Sequence, residues 1–253
     1  MEPLFFDTAR RQLYGVYHPP AMLRTASAGV VLCYPIGEEY MRIHRAFRWL
    51  AERLAARGFH VLRFDYDGTG NSAGNLESTS FPAWQDNVLS AVDELRSISG
   101  AEQLSLIGLR IGALLAAASA AAARCHSLVL WDPVPSGSAF RAQLEARVTN
   151  SGTPLSDFID EQQAINCAGY RFTNALLASG QGVELAASHF SAAGGVLLID
   201  PQPPITALPA ADISVDLLHS DTPADWDTVD ELGGLFLPTA TLSSIVDWVN
   251  EHG

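Results

Sequence analysis

The segment Leu104 to Ala113 (LSLIGLRIGA) concentrates the chemistry legible in this chain. An apolar run of strand length leads into Gly108, residue 110 and Gly112, and a helical pattern begins at once. Strand, sharp turn and helix, with small residues two places either side of the apex, form the arrangement that holds a nucleophilic hydroxyl clear of a sheet edge. The glycines are needed because the turn is sharp and the helix packs close to neighbouring strands. The apex here is Arg110, not serine. A guanidinium is a poor nucleophile and a poor base. At a helix N-terminus, where N–H groups and the dipole favour negative charge, it is a forked, permanently charged donor for carboxylate, phosphate or a developing oxyanion. The other reading is a salt-bridged arginine in an inactive site.

Further titratable residues fall near the same level of the pattern. Glu38 and Glu39 precede a helix that starts near Met41. They are either favourable charges at a helix N-terminus, or one of them faces the pocket as general base or as partner to Arg110. Asp132 ends the strand after the elbow helix, where an ion pair with Arg110 and a catalytic role both fit. His44 lies on a helix rich in Arg42, Arg45 and Arg48 and reads as structural. Cys33, at a strand end, reads as a small buried residue rather than a thiolate. Residues 70–74 (GNSAG) match G-x-S-x-G literally, but no helix starts until about Pro82, so Ser72 is set aside as a nucleophile. The same stretch read as a dinucleotide-binding loop opens no helix either.

The elements that must position these groups alternate in type. Strand patterns cover Ala28 to Tyr34, His60 to Tyr66, Leu104 to Gly108, Ser127 to Asp132, Gly195 to Asp200 and Ile213 to Leu218. Helical patterns cover Met41 to Arg57 (Met41, Phe47, Leu50 and Leu54 at helical spacing), Pro82 to Ile98 (Trp84, Val88, Val92 and Leu95 inward), Ile111 to Ala123 and Thr239 to Glu251. Crossovers of about thirty residues imply a doubly wound, mostly parallel sheet. Between about 134 and 190 the rhythm breaks into what read as short helices with loops. That divides the chain into a core, 1–133 and 191–253, and a helical lid, 134–190, over the carboxyl edge of the sheet.

Composition limits the function classes. Hydrophobic residues make up 48% of 253, which suits one globular α/β domain. The longest apolar run, Ile111 to Ala123, is too short for a bilayer and implies a buried helix. The net charge of −13 argues against nucleic acid and anionic membranes as partners. No lysine occurs, so Schiff-base chemistry and lysine-bound pyridoxal phosphate are excluded. The three cysteines form no CxxC pair; a reduced, cytoplasmic setting without zinc or disulfides is expected, with no signal peptide and no cofactor. The acidic stretch Asp221 to Glu231 reads as a solvated face.

With these residues in view, the chain resembles the serine-aminopeptidase-like branch of the α/β hydrolases, in particular the hydrolase-like proteins found beside exosortase systems and in some biosynthetic clusters. The similar stretches are 33–74 (CYPIGEEY through GNSAG), the elbow GLRIGA (108–113), LVLWDPVPSG (128–137) and the lid segment AGYRFTNALLASG (168–180). The resemblance implies an α/β-hydrolase fold with a helical lid. It places the family's serine at Arg110, and an oxyanion hole at the backbone N–H groups of Ile36 and Ile111, with Gly37 beside it in the substrate loop. It places the acid at Asp200, and Asp132 matches an alternative acid position of some α/β hydrolases. The family's histidine belongs in the loop before the last helix, and 230–240 (DELGGLFLPTA) has none; His219 stands roughly fifteen residues early.

The leading expectation is a non-serine enzyme acting on an acyl or carboxylate-bearing small molecule. Arg110 and the backbone hole would hold negative charge, while Glu38, Glu39, Asp132 or His219 moves a proton, in a lyase, cyclase or non-covalent hydrolase, within a biosynthetic pathway. The competing expectation is a catalytically dead binding or scaffold protein. A third is an ester or thioester hydrolase with a relocated nucleophile. A homodimer is the one self-assembly considered.

Overall fold

The structure is a computed structural model that describes residues 1–8, 11–22, 27–150, 152, 154–201, 214–220 and 236–253. Three strands with near-continuous apolar sequence, β3 (Ala28–Cys33), β5 (Gln103–Leu109) and β6 (Ser127–Trp131), lie side by side at its centre. Apolar runs of this kind suit strands covered on both faces. Around them stand β4 (His60–Phe64), β9 (Gly195–Ile199) and β10 (Val215–Leu218). All these neighbours pair in parallel, in the order β4-β3-β5-β6-β9-β10. The hydrogen-bonded part of several strands is a residue or two shorter than the sequence pattern, because each chain turns off the sheet at its carboxyl end.

An antiparallel hairpin, β1 (Glu2–Thr8) and β2 (Arg11–His18), extends the sheet beyond β4. Sequence patterning did not reveal it. Only Leu13, Gly15 and His18 of β2 are fully buried, so no clean apolar alternation marks the strand.

Helices fill the crossovers. α1 (Glu38–Ala56) buries Ile43, Phe47, Leu50 and Leu54, while Met41 is exposed, so Ile43 and not Met41 begins the inner stripe. α2 (Phe81–Ser99) buries Trp84, Val88, Val92 and Leu95 as expected. Its start is fixed by Ser80, whose side chain accepts from the Ala83 N–H, and its end by left-handed Gly100. α3 (Ile111–Ser119) is apolar on every side and buried on nearly every side, the signature of a core helix. α7 (Thr239–His252) closes the chain.

The segment between β6 and β9 is not purely helical. It holds α4 (Gly137–Thr149), a short hairpin of β7 (Ile165–Cys167) and β8 (Tyr170–Phe172), α5 (Asn174–Ser179) and α6 (Ala187–Phe190). The hairpin stands where 155–166 and 168–172 read as helix or loop. Its strands are three residues long, too short for a period-two pattern to register.

From β3 the chain passes to β4 on one side and later to β5 on the other. The reversal opens a crevice at the carboxyl ends of β3 and β5, where doubly wound sheets bind ligands.

Candidate functional site

The turn from β5 into α3 is made tight by its glycines. A Cβ on Gly108 would lie 2.4 Å from the Gly112 carbonyl oxygen, and one on Gly112 would lie 2.3 Å from that of Tyr34. Arg110 stands at the apex with φ 55° and ψ −121°. Its N–H donates to the Trp131 carbonyl at 3.0 Å and its own carbonyl accepts from Ala113 at 3.0 Å. Asp132 (φ 39°) and Asp200 (φ 47°), just past β6 and β9, share the left-handed conformation. Such backbone costs on the order of 1–3 kcal/mol per residue and gathers at functional sites.

The Arg110 side chain does not reach into an open space. It is 5% exposed, and each guanidinium nitrogen donates to a protein oxygen. Nε donates to Glu39 Oε1 at 3.3 Å, Nη1 to Asp132 Oδ2 at 3.3 Å, and Nη2 to Gln143 Oε1 at 2.9 Å. Glu39, 3% exposed, also accepts from Arg147 Nη2 at 2.7 Å, again at Oε1. Two buried arginines thus balance two buried carboxylates drawn from four places: the first turn of α1, the elbow, the end of β6, and α4. Glu39 Oε2 is buried and has no hydrogen bond among the described residues. Gln143 and Arg147 lie one turn apart on α4, so one helix face reaches the elbow twice. Phe140, one turn earlier, packs edge-on against Phe81 and Phe172.

Arg110, Glu39 and Asp132 are therefore brought together, and Glu38, Asp200 and His219 are not. Glu38 is half-buried and faces the β7–β8 hairpin. Burial, then the Glu38 charge, raise the Tyr170 phenol; burial also raises the Cys167 thiol, against the pull of Arg147. His219 is a correction to the sequence reading. Its side chain is 79% exposed, its Nδ1 lies 3.9 Å from Asp200 Oδ1, and no contact joins it to Arg110 among the described residues. Asp200 Oδ1 instead accepts from the Ser220 N–H at 2.8 Å. Residues 230–235, most of the loop where the histidine was sought, and the whole acidic stretch 221–231 lie outside the described residues.

The N–H groups of Ile36 and Ile111 have no acceptor among the described residues. Gly37 has φ 73°, and a Cβ there would come 3.1 Å from the Phe172 ring. A cavity of about 150 Å³ opens beside this loop, lined by Ile36, Gly37, Tyr40, Gly68, Leu76 and Tyr170 among others. A second, of about 270 Å³, lies beyond Tyr40 against β2 and β4. Arg110 lines neither.

Ser72 is a structural peg: its Oγ donates to the Asp65 carbonyl at 2.5 Å and accepts from the Tyr14 N–H at 2.9 Å. Burial pushes the Cys33 thiol up to about 12, so it is not a thiolate. His44 stacks on Tyr34, and burial followed by the Arg63 charge lowers its pKa. Sequence reasoning missed Gln143 and Arg147. Their spacing on a helical pattern was visible, but nothing local says which polar face of a helix turns inward.

Comparison with known proteins agrees with this architecture. Over 71 residues the chain is 35% identical to an acyl transferase of Photobacterium phosphoreum, and over 46 residues 44% identical to the mitochondrial palmitoyl-protein thioesterase ABHD10 of Bos taurus. These segments are 28% and 18% of this chain and span 23% and 15% of those proteins. The fold superimposes on Est1E of Butyrivibrio proteoclasticus, solved with ferulic acid, at TM-score 0.71 and 16% identity over 98% of both chains. On mouse alpha/beta hydrolase domain-containing protein 10 the TM-score is 0.61 at 16% identity over 100% of both chains. Residues 25–155 match the serine aminopeptidase S33 profile, half of the chain including β3, the elbow and α4, and the chain belongs to that family of α/β-hydrolase-fold proteins.

Proposed function

We propose that this chain is a catalytically silent member of its family, which binds the carbonyl or carboxylate end of an acyl-type small molecule without cleaving it. The observation that carries this reading is the occupied guanidinium of Arg110. It stands in the seat of the family's nucleophile and gives all three nitrogens to Glu39, Asp132 and Gln143. A guanidinium so engaged neither attacks a carbonyl nor, without giving up a carboxylate, receives a new anion. The ordering of the sequence-based expectations is thereby reversed: the binding protein comes ahead of the acid–base enzyme, and a relocated nucleophile comes last, since Ser72 is tied to backbone.

Binding has its own support. Among the described residues the N–H groups of Ile36 and Ile111 are without acceptors, although nearly all buried backbone donors in proteins have one. They would serve an acyl oxygen, with the cavity at Ile36 and Gly37 taking the chain next to it. The segment 134–190 acts in this reading as a lid, held shut through α4 by Gln143 and Arg147. The relatives named acyl transferase and palmitoyl-protein thioesterase favour an acyl ligand. One observation favours the second reading, a non-covalent lyase, cyclase or hydrolase: Glu39 Oε2 is buried without a hydrogen bond among the described residues and would accept a proton if the lid opened.

The test is a titration of isotope-labelled protein with octanoate, together with fluorophosphonate labelling. Silent binding predicts shifts in the Ile36, Gly37 and Ile111 amide signals and no labelled serine. Stoichiometric labelling of any serine overturns the reading.

A further inference from the structure

The larger of the two cavities described above holds a buried cation for which the acyl-site reading has no use. Arg63, on β4, is 5% exposed. Its Nε donates to His18 Nε2 at 3.0 Å and its Nη1 to Tyr34 Oη at 2.8 Å. Both partners are neutral: burial, then the Arg63 charge, push His18 down to about 4, and burial pushes the Tyr34 phenol up to about 12. Nη2 has no hydrogen bond, and no carboxylate lies within ion-pair distance of Arg63, among the described residues. A buried charge is expensive unless it is paired. Every other deeply buried arginine described, Arg110 and Arg147, has a carboxylate.

We propose that the cavity between α1 and the β2–β4 edge binds a small aromatic carboxylate, with the Arg63 fork as its anchor. The inference is independent of the acyl-site reading. At about 270 Å³ the cavity lies just under the ~300–1,000 Å³ typical of ligand sites, so the guest is small. Its walls are flat rings: Tyr34, Tyr40, His44 and Phe64, with Tyr34 and Tyr40 centroids 4.9 Å apart. The other charges present select a monoanion. Asp65 lines the cavity and repels a dianion; its oxygens are held by the Tyr40 hydroxyl at 2.9 Å and the Asn71 N–H at 2.9 Å. Arg48, at the rim, is already paired with Glu52 at 2.8 Å. A planar carboxylate meets the free edge of a guanidinium with matched geometry, while its ring lies against the tyrosines and His44.

Benzoate, benzamide and inorganic phosphate are the probes. Benzoate should raise the melting temperature of the wild type and shift the ring signals of Tyr34, Tyr40 and His44. Benzamide and phosphate should do neither at the same concentration. Arg63→Lys keeps charge but loses the fork, and should weaken benzoate roughly tenfold or more. Should that variant fail to fold, Val16→Trp fills the mouth from β2 with Arg63 intact, and should abolish the ring shifts. No benzoate response, a response that survives the tested variant, or equal responses to benzamide or phosphate overturns the proposal.

Discussion

At the scale of the residue, Arg110 decides how the elbow behaves. Removing it leaves Glu39 with Arg147 alone and takes the guanidinium away from buried Asp132, and breaking a buried pair from one side costs about 3–5 kcal/mol. Arg110→Ala should therefore lower stability by about that amount in urea denaturation; a loss below about 1 kcal/mol would mean the cluster is not what holds the site together. Arg110→Ser supplies a hydroxyl but no base. His219 is exposed and the Asp200 oxygen nearest it already accepts from Ser220. This variant should stay inactive on p-nitrophenyl esters, and robust turnover would reveal a base that the described residues do not contain.

At the scale of the element, α4 is the piece most dependent on charge. Its face toward the elbow carries Gln143 and Arg147 along with Phe140 and Leu144, so a polar clamp and an apolar contact hold it together. Glu39→Gln keeps the shape of the side chain and removes the charge shared by Arg110 and Arg147. Amide hydrogen exchange should then rise over Gly137–Thr149 while β5 and α3 stay protected, because those two elements rest on apolar burial. Uniform loss of protection would instead make the cluster part of the global core. The glycines answer differently. Gly112→Ala brings a methyl within 2.3 Å of the Tyr34 carbonyl oxygen and should prevent the native state from forming rather than loosen one helix, as read by circular dichroism of the purified protein.

At the scale of the whole molecule, acid sensitivity follows from histidines buried as neutral rings. His18 is pushed down to about 4 by burial and then by Arg63, and burial lowers His44, His60 and His189. Each takes up a proton more readily unfolded than folded. Their contribution is complete above the unfolded value near 6.5 and is lost as pH falls toward the folded value. His18 alone contributes a slope approaching 1.4 kcal/mol per pH unit between about 6.5 and 4. The urea midpoint should fall steadily from pH 7 to pH 4.5. His18→Gln should flatten that decline, and an unchanged slope would place the acid sensitivity elsewhere.

The order of strands and helices from Ala28 onward, outside the segment 134–190, the turn at Arg110 and the burial of α3 were determined by the amino-acid sequence alone. Each rests on local physics: apolar runs that can only be buried, a 3.6-residue stripe, and glycines where a Cβ has no room. The pairing of Arg110 with Asp132 could be anticipated because β5 and β6 had to be neighbours. What the tertiary structure decided is where polar side chains point. Glu38 and Glu39 are adjacent, yet one is locked between two arginines and the other faces a hairpin, because a helix turns neighbouring side chains about 100° apart. Gln143 and Arg147 meet the elbow only because α4 folds back over the sheet, and Arg63 is a cation without a carboxylate among the described residues only because β2, β3 and α1 enclose it. Hydrophobic burial is proportional to area and can be read along a chain. The fate of a charge depends on which partner arrives from tens of residues away, and that is a property of the fold.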